Sequence, residues 1–425
     1  MILTICIGFV VLLIIGMPIS ILLGTITTFT IFAHTDIPLL IISQALFNSM
    51  DNFVMLAVPF FILAGSIMTH GTMASRLINI IGLMVGNFYG GLAIAGVLGC
   101  MFFAALSGSS PATVAAIGAI LIPALKKFGY DEDFSTGLIT TAGSLGIVIP
   151  PSIPMILYCL VMNESVGKLF MAGIGPGILI GLCFCGYVYI QSRRHKWRST
   201  KSYTLSEALK VIREGIWGLA LPFIVLGGIY AGFFTPTEAA AVSVGYALIV
   251  ELFIHKSFTI KELPKICNEA AVLSSAILFI IACAVTFIWL LTSHEIPVQI
   301  ADVIVRHVHS GWIFLILINL LFLAMGTFMD DVAAMLILAP LMSTTLMRFN
   351  IDPIHFGVVM VLLVEFGFLT PPFGLNIFVT MGLTNHSLTR ISKAVVPFII
   401  ILLLCVFLVT FVPQIAMFLP NYFYK

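Results

Sequence analysis

The sequence predicts an all-α polytopic membrane protein made of two inverted copies of one unit, each copy holding a re-entrant helical hairpin and a broken helix. Three observations carry that prediction: an extreme apolar composition, an internal repeat, and polar interruptions that recur at matching points of the two copies. Of the 425 residues 60% are hydrophobic and only 9% charged, with a mean hydropathy of +1.18. A soluble globule carries about a quarter charged residues, so there is too little polar surface here for one. The formal net charge is +1, and the few charges lie between apolar stretches without forming a basic face, which sets nucleic-acid binding aside. The eight cysteines are scattered through apolar segments with no CxxC pair, and read as small hydrophobes. The first segment lacks the basic start and small-residue cleavage site of a signal peptide and is expected to stay as a helix in the lipid bilayer.

The repeat has a fixed offset. Gly16-Met17-Pro18 answers Phe234-Thr235-Pro236, Ser107-Gly108-Ser109 answers Met325-Gly326-Thr327, and Val114-Ala115-Ala116 answers Val332-Ala333-Ala334, all 218 residues apart. Ile149-Pro150-Pro151 answers Thr370-Pro371-Pro372 at 221. Residues 1–190 are therefore assigned to the first repeat, 191–214 to a basic linker and 215–425 to the second repeat.

In chain order the first repeat shows apolar segments at 2–16, 18–33 and 52–70, then a pair at 89–107 and 109–126 read as a hairpin, an interrupted helix at 135–162 and a last segment at 169–190. The second shows 215–233, 236–254 and 267–292, a hairpin over 311–347, an interrupted helix at 356–384 and a last segment at 394–419. A spanning helix needs about 20 apolar residues, and each hairpin member is a little short of that, with only a small-residue tip between the two. Reading each pair as a re-entrant hairpin leaves five crossings per copy. An odd number forces opposite insertion. Placing the linker Gln191–Arg213 in the cytoplasm puts all of the 19 Lys and Arg residues except Lys168, Arg306, Arg348 and Lys425 on that side, as the positive-inside tendency requires, with both termini periplasmic. Segments 34–50, 72–86 and 294–310 are too polar to span and read as amphipathic helices along the membrane plane.

The interruptions are where chemistry is expected. At the first tip, Ser107, Gly108, Ser109 and Ser110 precede Pro111, with Thr113 one turn on; at the second, Gly326 and Thr327 precede Asp330 and Asp331. Irregular backbone at membrane depth survives only where it is buried in protein or lines a wet cavity, and an intramembrane carboxylate such as Asp330 is a functional candidate, although it is also placed to cap the helix that follows. Double prolines at Pro150-Pro151 and Pro371-Pro372 remove amide donors and stop a helix from running through. The carbonyls of Gly143, Ile149, Gly367 and Thr370 are then free to join Ser107, Gly108, Ser109, Gly326 and Asp330 in two oxygen-rich pockets suited to Na⁺. The outgoing helix N-termini, together with Ser109, Ser110, Thr113, Ser152, Thr327 and Asn376, are assigned to an anionic substrate. Glu365 is left between a ligand and a helix-facing group satisfied by a neighbouring hydroxyl, and Glu238, three residues after Thr235, reads as a helix cap.

Other classes fit poorly. Gly167-Lys168 lacks the upstream glycine of an ATP-binding loop and is followed by Leu169; no HExxH or nucleophile-base set points to an enzyme. A channel with re-entrant hairpins is the remaining alternative to a secondary transporter.

Phe234-Thr235-Pro236-Thr237-Glu238-Ala239-Ala240-Ala241-Val242, Ser107-Gly108-Ser109, Ile149-Pro150-Pro151-Ser152, the run Leu169 to Gly177 and Leu369-Thr370-Pro371-Pro372 together resemble the large membrane subunit of tripartite ATP-independent periplasmic (TRAP) transporters, the DctM-like family. The resemblance spans essentially the whole chain. It implies an elevator-type architecture, in which a transport domain holding hairpins and broken helices slides against a scaffold. It also implies two Na⁺ sites, no ATP, and the bacterial cytoplasmic (inner) membrane. The implied partners are a separate small four-helix membrane subunit and a soluble periplasmic substrate-binding protein. That protein delivers an organic acid: a sialic acid or other sugar acid, slightly favoured at this stage, or a C4-dicarboxylate. Residue by residue, Ser107, Gly108 and Ser109 match the first tip motif of the family, Gly326 and Asp330 the second, and the two proline pairs the broken helices.

Overall fold

A computed structural model describes residues 1–85, 88–198, 204–326, 331–371 and 374–424, of Asp331 the backbone alone. Apart from an isolated bridge between Tyr89 and Arg198, the regular structure among the described residues is helical. The first copy runs through α1 (Ile2–Ile14), α2 (Ile19–His34), α3 (Leu40–Met50), α4 (Ala57–His70), α5 (Met73–Val85), α6 (Gly91–Ser107), α7 (Ser110–Lys127), α8 (Glu132–Ala142), α9 (Ile153–Met162) and α10 (Val166–His195). The second runs through α11 (Leu205–Tyr230), α12 (Pro236–Ile249), α13 (Leu263–Ser293), α14 (Ile296–His307), α15 (Gly311–Met325), α16 (Asp331–Arg348), α17 (Pro353–Leu369), α18 (Leu375–Thr384), α19 (Leu388–Phe411) and α20 (Gln414–Phe423).

Helix starts follow local chemistry. Thr235 and Glu238 form a reciprocal cap at the head of α12: Thr235 N donates to Glu238 Oε2 at 2.8 Å and Glu238 N to Thr235 Oγ1 at 3.2 Å. That satisfies amides the helix cannot pair itself. Asp352 accepts from Ile354 N at 2.7 Å and His355 N at 3.2 Å, with Pro353 opening α17. A second reciprocal cap, Thr204 with Glu207, starts α11 well inside the stretch assigned to the linker. With α10 running on to His195, helix enters the basic stretch 191–214 from both ends. Basic residues mark which side a segment faces and do not by themselves break a helix.

Five helical segments among the described residues, 53–70, 166–195, 236–254, 263–293 and 388–411, are long and apolar enough to cross a bilayer. The others are shorter apolar helices joined by breaks, and α14 meets α15 at a bend of 117°. The packing sorts most of them into two groups. Helices α1 to α4 associate with α12 and α13, while α6 to α10 associate with α17 to α19. Between the groups, α4 packs directly on α6; α5 packs on α4 and α6 and on α11, itself a neighbour of α12; and α14 packs on α13 and on α16, which reaches α9 and α17. Glu251, fully buried in the π-helical turn Val250–Ile254, accepts from Met73 N at 2.8 Å and from the Ser257 hydroxyl, and so fastens α12 to the head of α5.

At one end of the second group, Glu132 takes Lys126 at 2.7 Å and Arg390 at 3.2 Å while Asp133 takes Arg390 at 2.5 Å, tying α7, α8 and α19 together. The Lys126 ammonium, with Arg390 behind it, holds the Glu132 carboxyl below its ordinary value of 4.5. A depressed carboxylate contributes stability above its unfolded pKa and loses it as pH falls through the folded one. Replacing Arg390 with Gln is therefore expected to lower the melting temperature of the purified protein modestly at pH 7, as befits a half-exposed network. That difference should shrink as pH falls from 4.5 through the lower folded pKa of Glu132, which melting curves recorded across a pH series will check.

Candidate functional site

Between α6 and α7 the chain turns on Gly108, whose φ of +58° is a left-handed conformation that glycine adopts without strain. Ser109 follows in extended conformation (φ −134°, ψ 128°) and Pro111 opens α7. This fold-back gathers three oxygens. Ser107 Oγ lies 3.0 Å from Thr113 Oγ1 and donates to Ser109 O at 3.2 Å, and Thr113 Oγ1 also donates to Ser109 O at 2.8 Å.

The break between α8 and α9 comes up against this tip. A 3-10 turn, Gly143–Ile147, leads into Pro150-Pro151; Ile153 N donates to Gly108 O at 3.4 Å, and Ser152 Oγ donates to Ile147 O at 2.5 Å while capping Met155 N at 3.4 Å. A methyl group placed on Gly146 would sit 2.7 Å from both Ser109 O and Thr113 Oγ1, and one on Gly108 would sit 2.9 Å from Pro151 O. Carbonyl and hydroxyl oxygens of tip and break thus share one small volume. Gly143 lies tight against Val114 of α7, while the Ile149 side chain packs at Gly177 of α10.

In the second copy α17 ends where Thr370 N donates to Gly367 O at 3.4 Å and Thr370 Oγ1 to Phe366 O at 2.6 Å; Thr370 O accepts from Gly374 N at 3.0 Å before α18 begins. Gly326 closes α15, its N donating to Phe322 O at 2.9 Å. Thr327, Phe328, Asp330 and Pro372 lie outside the described residues, as does the side chain of Asp331.

The copies meet in a buried polar knot. Asn376 Nδ2 donates to Ser110 Oγ at 2.7 Å and to Thr140 O at 3.3 Å, Ser110 Oγ lies 3.0 Å from Asn376 Oδ1, and Thr140 and Thr380 share a hydroxyl bond of 2.8 Å; all four residues are fully buried. Thr113 and Ser152 are fully buried as well, each bonded within its own copy, so among the described hydroxyls assigned to a substrate Ser109 is the half-buried one. Beside the tip is a cavity of about 270 Å³. Gly108, Ser109 and Ser110 form its polar end, Ile153 and Leu157 one wall, and Ile277 and Ile281 of α13 another.

Among the described residues no three His, Cys, Asp or Glu side chains are grouped to hold a metal ion. Glu365 is fully buried on α17; Ser144, its counterpart at the 221-residue offset, lies beside it but donates to Thr141 O at 2.7 Å, and both Glu365 oxygens are without a hydrogen-bond partner. Sequence reasoning passed over Gly146 as a contact to the tip, although its place in the Gly143-Ser144-Leu145-Gly146 run was a usable signal. It had no means of finding the α13 wall, since an aliphatic helix face reads the same whether it borders lipid or a cavity.

Residues 6–415 match the family model described as the tripartite ATP-independent periplasmic transporter, DctM component. The chain belongs to that family. This permease is 42% identical over 427 residues to the C4-dicarboxylate TRAP transporter large permease protein DctM of Rhodobacter capsulatus, covering 97% of each chain. It is 45% identical over 377 residues to the DctM protein of Pseudomonas aeruginosa, covering 89% of this chain and 88% of that one. To the sialic acid TRAP transporter permease protein SiaT of Haemophilus influenzae it is 34% identical over 89% of this chain and 62% of that one. Among solved structures, the YdaH transporter of Alcanivorax borkumensis superposes with a TM-score of 0.62 at 14% identity, covering 87% and 86% of the two chains, which supports the fold alone. The permease is thus a multi-pass inner-membrane transporter subunit and not an enzyme, and works with a small membrane subunit and a periplasmic binding protein.

Changing Gly146 to Ala tests the shared oxygen volume. Overpacking costs about 1–3 kcal/mol; falling on the tip, it should weaken ligand-dependent uptake roughly tenfold or more. Gly186→Ala in α10, where no atom lies within 4 Å, controls for glycine loss alone. Comparing uptake by the two variants in proteoliposomes at equal protein level is the measurement.

Proposed function

We propose that the permease imports an organic acid by sodium symport through an elevator movement, the acid being handed over by the periplasmic binding protein. One observation carries the reading: the first tip and the break between α8 and α9 bring Ser107, Ser109 and Thr113 oxygens together with the Pro151 carbonyl edge at a cavity wall. Sodium is the natural guest of such neutral oxygens. A second sodium site, between Gly326, Asp330, Gly367 and Thr370, is proposed on the repeat and the family motif.

Sodium binding first makes chemical sense of an anion carrier whose cavity, among the described residues, is lined by no Lys or Arg. The bound ions lend positive charge, and the acid's carboxylate completes their coordination at Ser109 and the head of α7. Coupling then needs only that sodium favour the acid-ready state over the empty one. The elevator reading draws support from the two packing groups and from α5 and α14, which run between them like arms. In this reading the two copies are inverted, the hairpins are re-entrant, and both termini are periplasmic. For the acid, relatives named for C4-dicarboxylates at 42 and 45% identity outweigh the sialic acid relative at 34%, so a C4-dicarboxylate is preferred to a sugar acid.

Ser107→Ala removes one oxygen from the first site. Taking the loss of one coordinating oxygen as comparable to the about 1.5–3 kcal/mol of a hydrogen bond to a charged group, the sodium concentration for half-maximal uptake should rise roughly tenfold or more. Asp330→Asn is expected to do the same at the second site. Reconstituted uptake of succinate against a sodium series, with and without the binding protein, is the assay. Unchanged sodium dependence in both variants rejects the sites, and current that flows without the binding protein favours a channel.

A further inference from the structure

Ser109 borders two cavities. The larger is the 270 Å³ space described above. A second, of about 120 Å³, lies between α4, α13 and the tip, and is lined by Ser66, Thr69 and His70 on one side and by Ser107 and Ser109 on the other. Leu273 of α13 lines both and stands between them. The two spaces differ in chemistry. The larger is walled mainly by aliphatic side chains, whereas the smaller sets the hydroxyl residues Ser66, Thr69, Ser107 and Ser109 among Ile62, Ala112 and Leu273 and ends at His70, whose Nε2 pairs with Glu269 Oε2 at 3.2 Å. His70 Nδ1 lies 3.0 Å from Ser66 O, which fixes the ring at the rim, and the paired side chains are 38% and 46% exposed.

Resting on the reading of Ser107 and Ser109 as cation ligands, we infer that this small hydroxyl-lined pocket is the route by which the cation at the first tip exchanges with solution, separate from the route of the organic acid. Its volume admits roughly four waters at about 30 Å³ each, enough for a partly hydrated monovalent ion. Its hydroxyls can replace lost waters in steps. The Glu269 carboxylate at the rim draws cations and repels the anionic cargo, which a charged opening does efficiently. Leu273, which lines both spaces, forms the partition between the two routes.

Thiol labelling tests this in the full transporter. In a Cys6→Ser, Cys267→Ser background, which removes the two exposed native thiols, Ser66→Cys and, independently, Thr69→Cys are treated with a cationic methanethiosulfonate and with a neutral one of similar size. The cationic reagent should react roughly tenfold faster, Na⁺ but not choline should slow it, and Glu269→Gln should abolish the preference. After labelling, each variant should need more sodium for half-maximal uptake than before, while its half-saturating succinate concentration at saturating sodium stays the same. Equal rates for the two reagents, no reaction at either position, or a raised succinate requirement overturns the separate route. Sodium-independent uptake by the unlabelled parent would instead overturn the cation site on which the route depends.

Discussion

Backbone polar groups inside hydrocarbon have to be covered, and the arrangement of this permease depends on how that requirement is met at its interruptions. A continuous helix satisfies its own amides and carbonyls; a tip at Gly108 or a break at Pro150-Pro151 does not. Here the two unsatisfied segments are laid on one another. Ile153 N turns to Gly108 O, the Ser107 and Thr113 hydroxyls turn to Ser109 O, and glycines at 108 and 146 let the backbones approach closely enough for this to work. In the proposed reading, the oxygens of this overlap are the ones offered to the cation.

The chain treats buried carboxylates in two opposite ways, and the contrast shows which one is structural. Glu251 has donors on several sides: Met73 N, the Ser257 hydroxyl and the Thr72 hydroxyl at 3.5 Å, with His255 Nδ1 at 3.5 Å. A carboxylate so supplied is a joint, here between α12 and α5. Glu365 is equally buried and has no such donors, its neighbour Ser144 being committed to Thr141 O. Leaving a buried polar group unpaired costs about 1–3 kcal/mol, and the hydroxyl beside Glu365 that could offset this is that of Ser144.

Much of this was legible because it is written in local chemistry. Thr235-Pro236-Thr237-Glu238 announces a reciprocal helix cap, and Gly108 with Pro111 announces a fold-back, since few other residues fit those backbone demands. What stayed hidden depends on partners far along the chain. The pairing of Ser110 with Asn376 spans 266 positions and leaves no local trace, so both read as free hydroxyl and amide groups available to a ligand. The wall supplied by Leu273, Ala276, Ile277, Ile280 and Ile281 was hidden for the opposite reason. An aliphatic stripe is the common pattern of any membrane helix, and only its neighbours distinguish a cavity wall from a lipid face.

In the elevator reading proposed above, the two kinds of contact also separate what moves together from what slides. Ser110, Thr140, Asn376 and Thr380 join the copies through buried hydrogen bonds, and breaking any of them without water to replace it is expensive, so tip, break and α18 behave as one body. Toward α4 and α13 the surface is of another kind. Among the described residues no hydrogen bond links either helix to α6, α7, α8 or α9; Gly65 of α4 comes within 3.2–3.4 Å, as a Cβ would measure it, of the Ser107 backbone, and α13 presents branched aliphatic side chains. Dispersion contacts are weak singly and reform at many registers, whereas a directional bond holds one register. A carrier that must displace its binding site past a fixed wall needs that division, with polar fastening inside the moving body and apolar contact at its boundary.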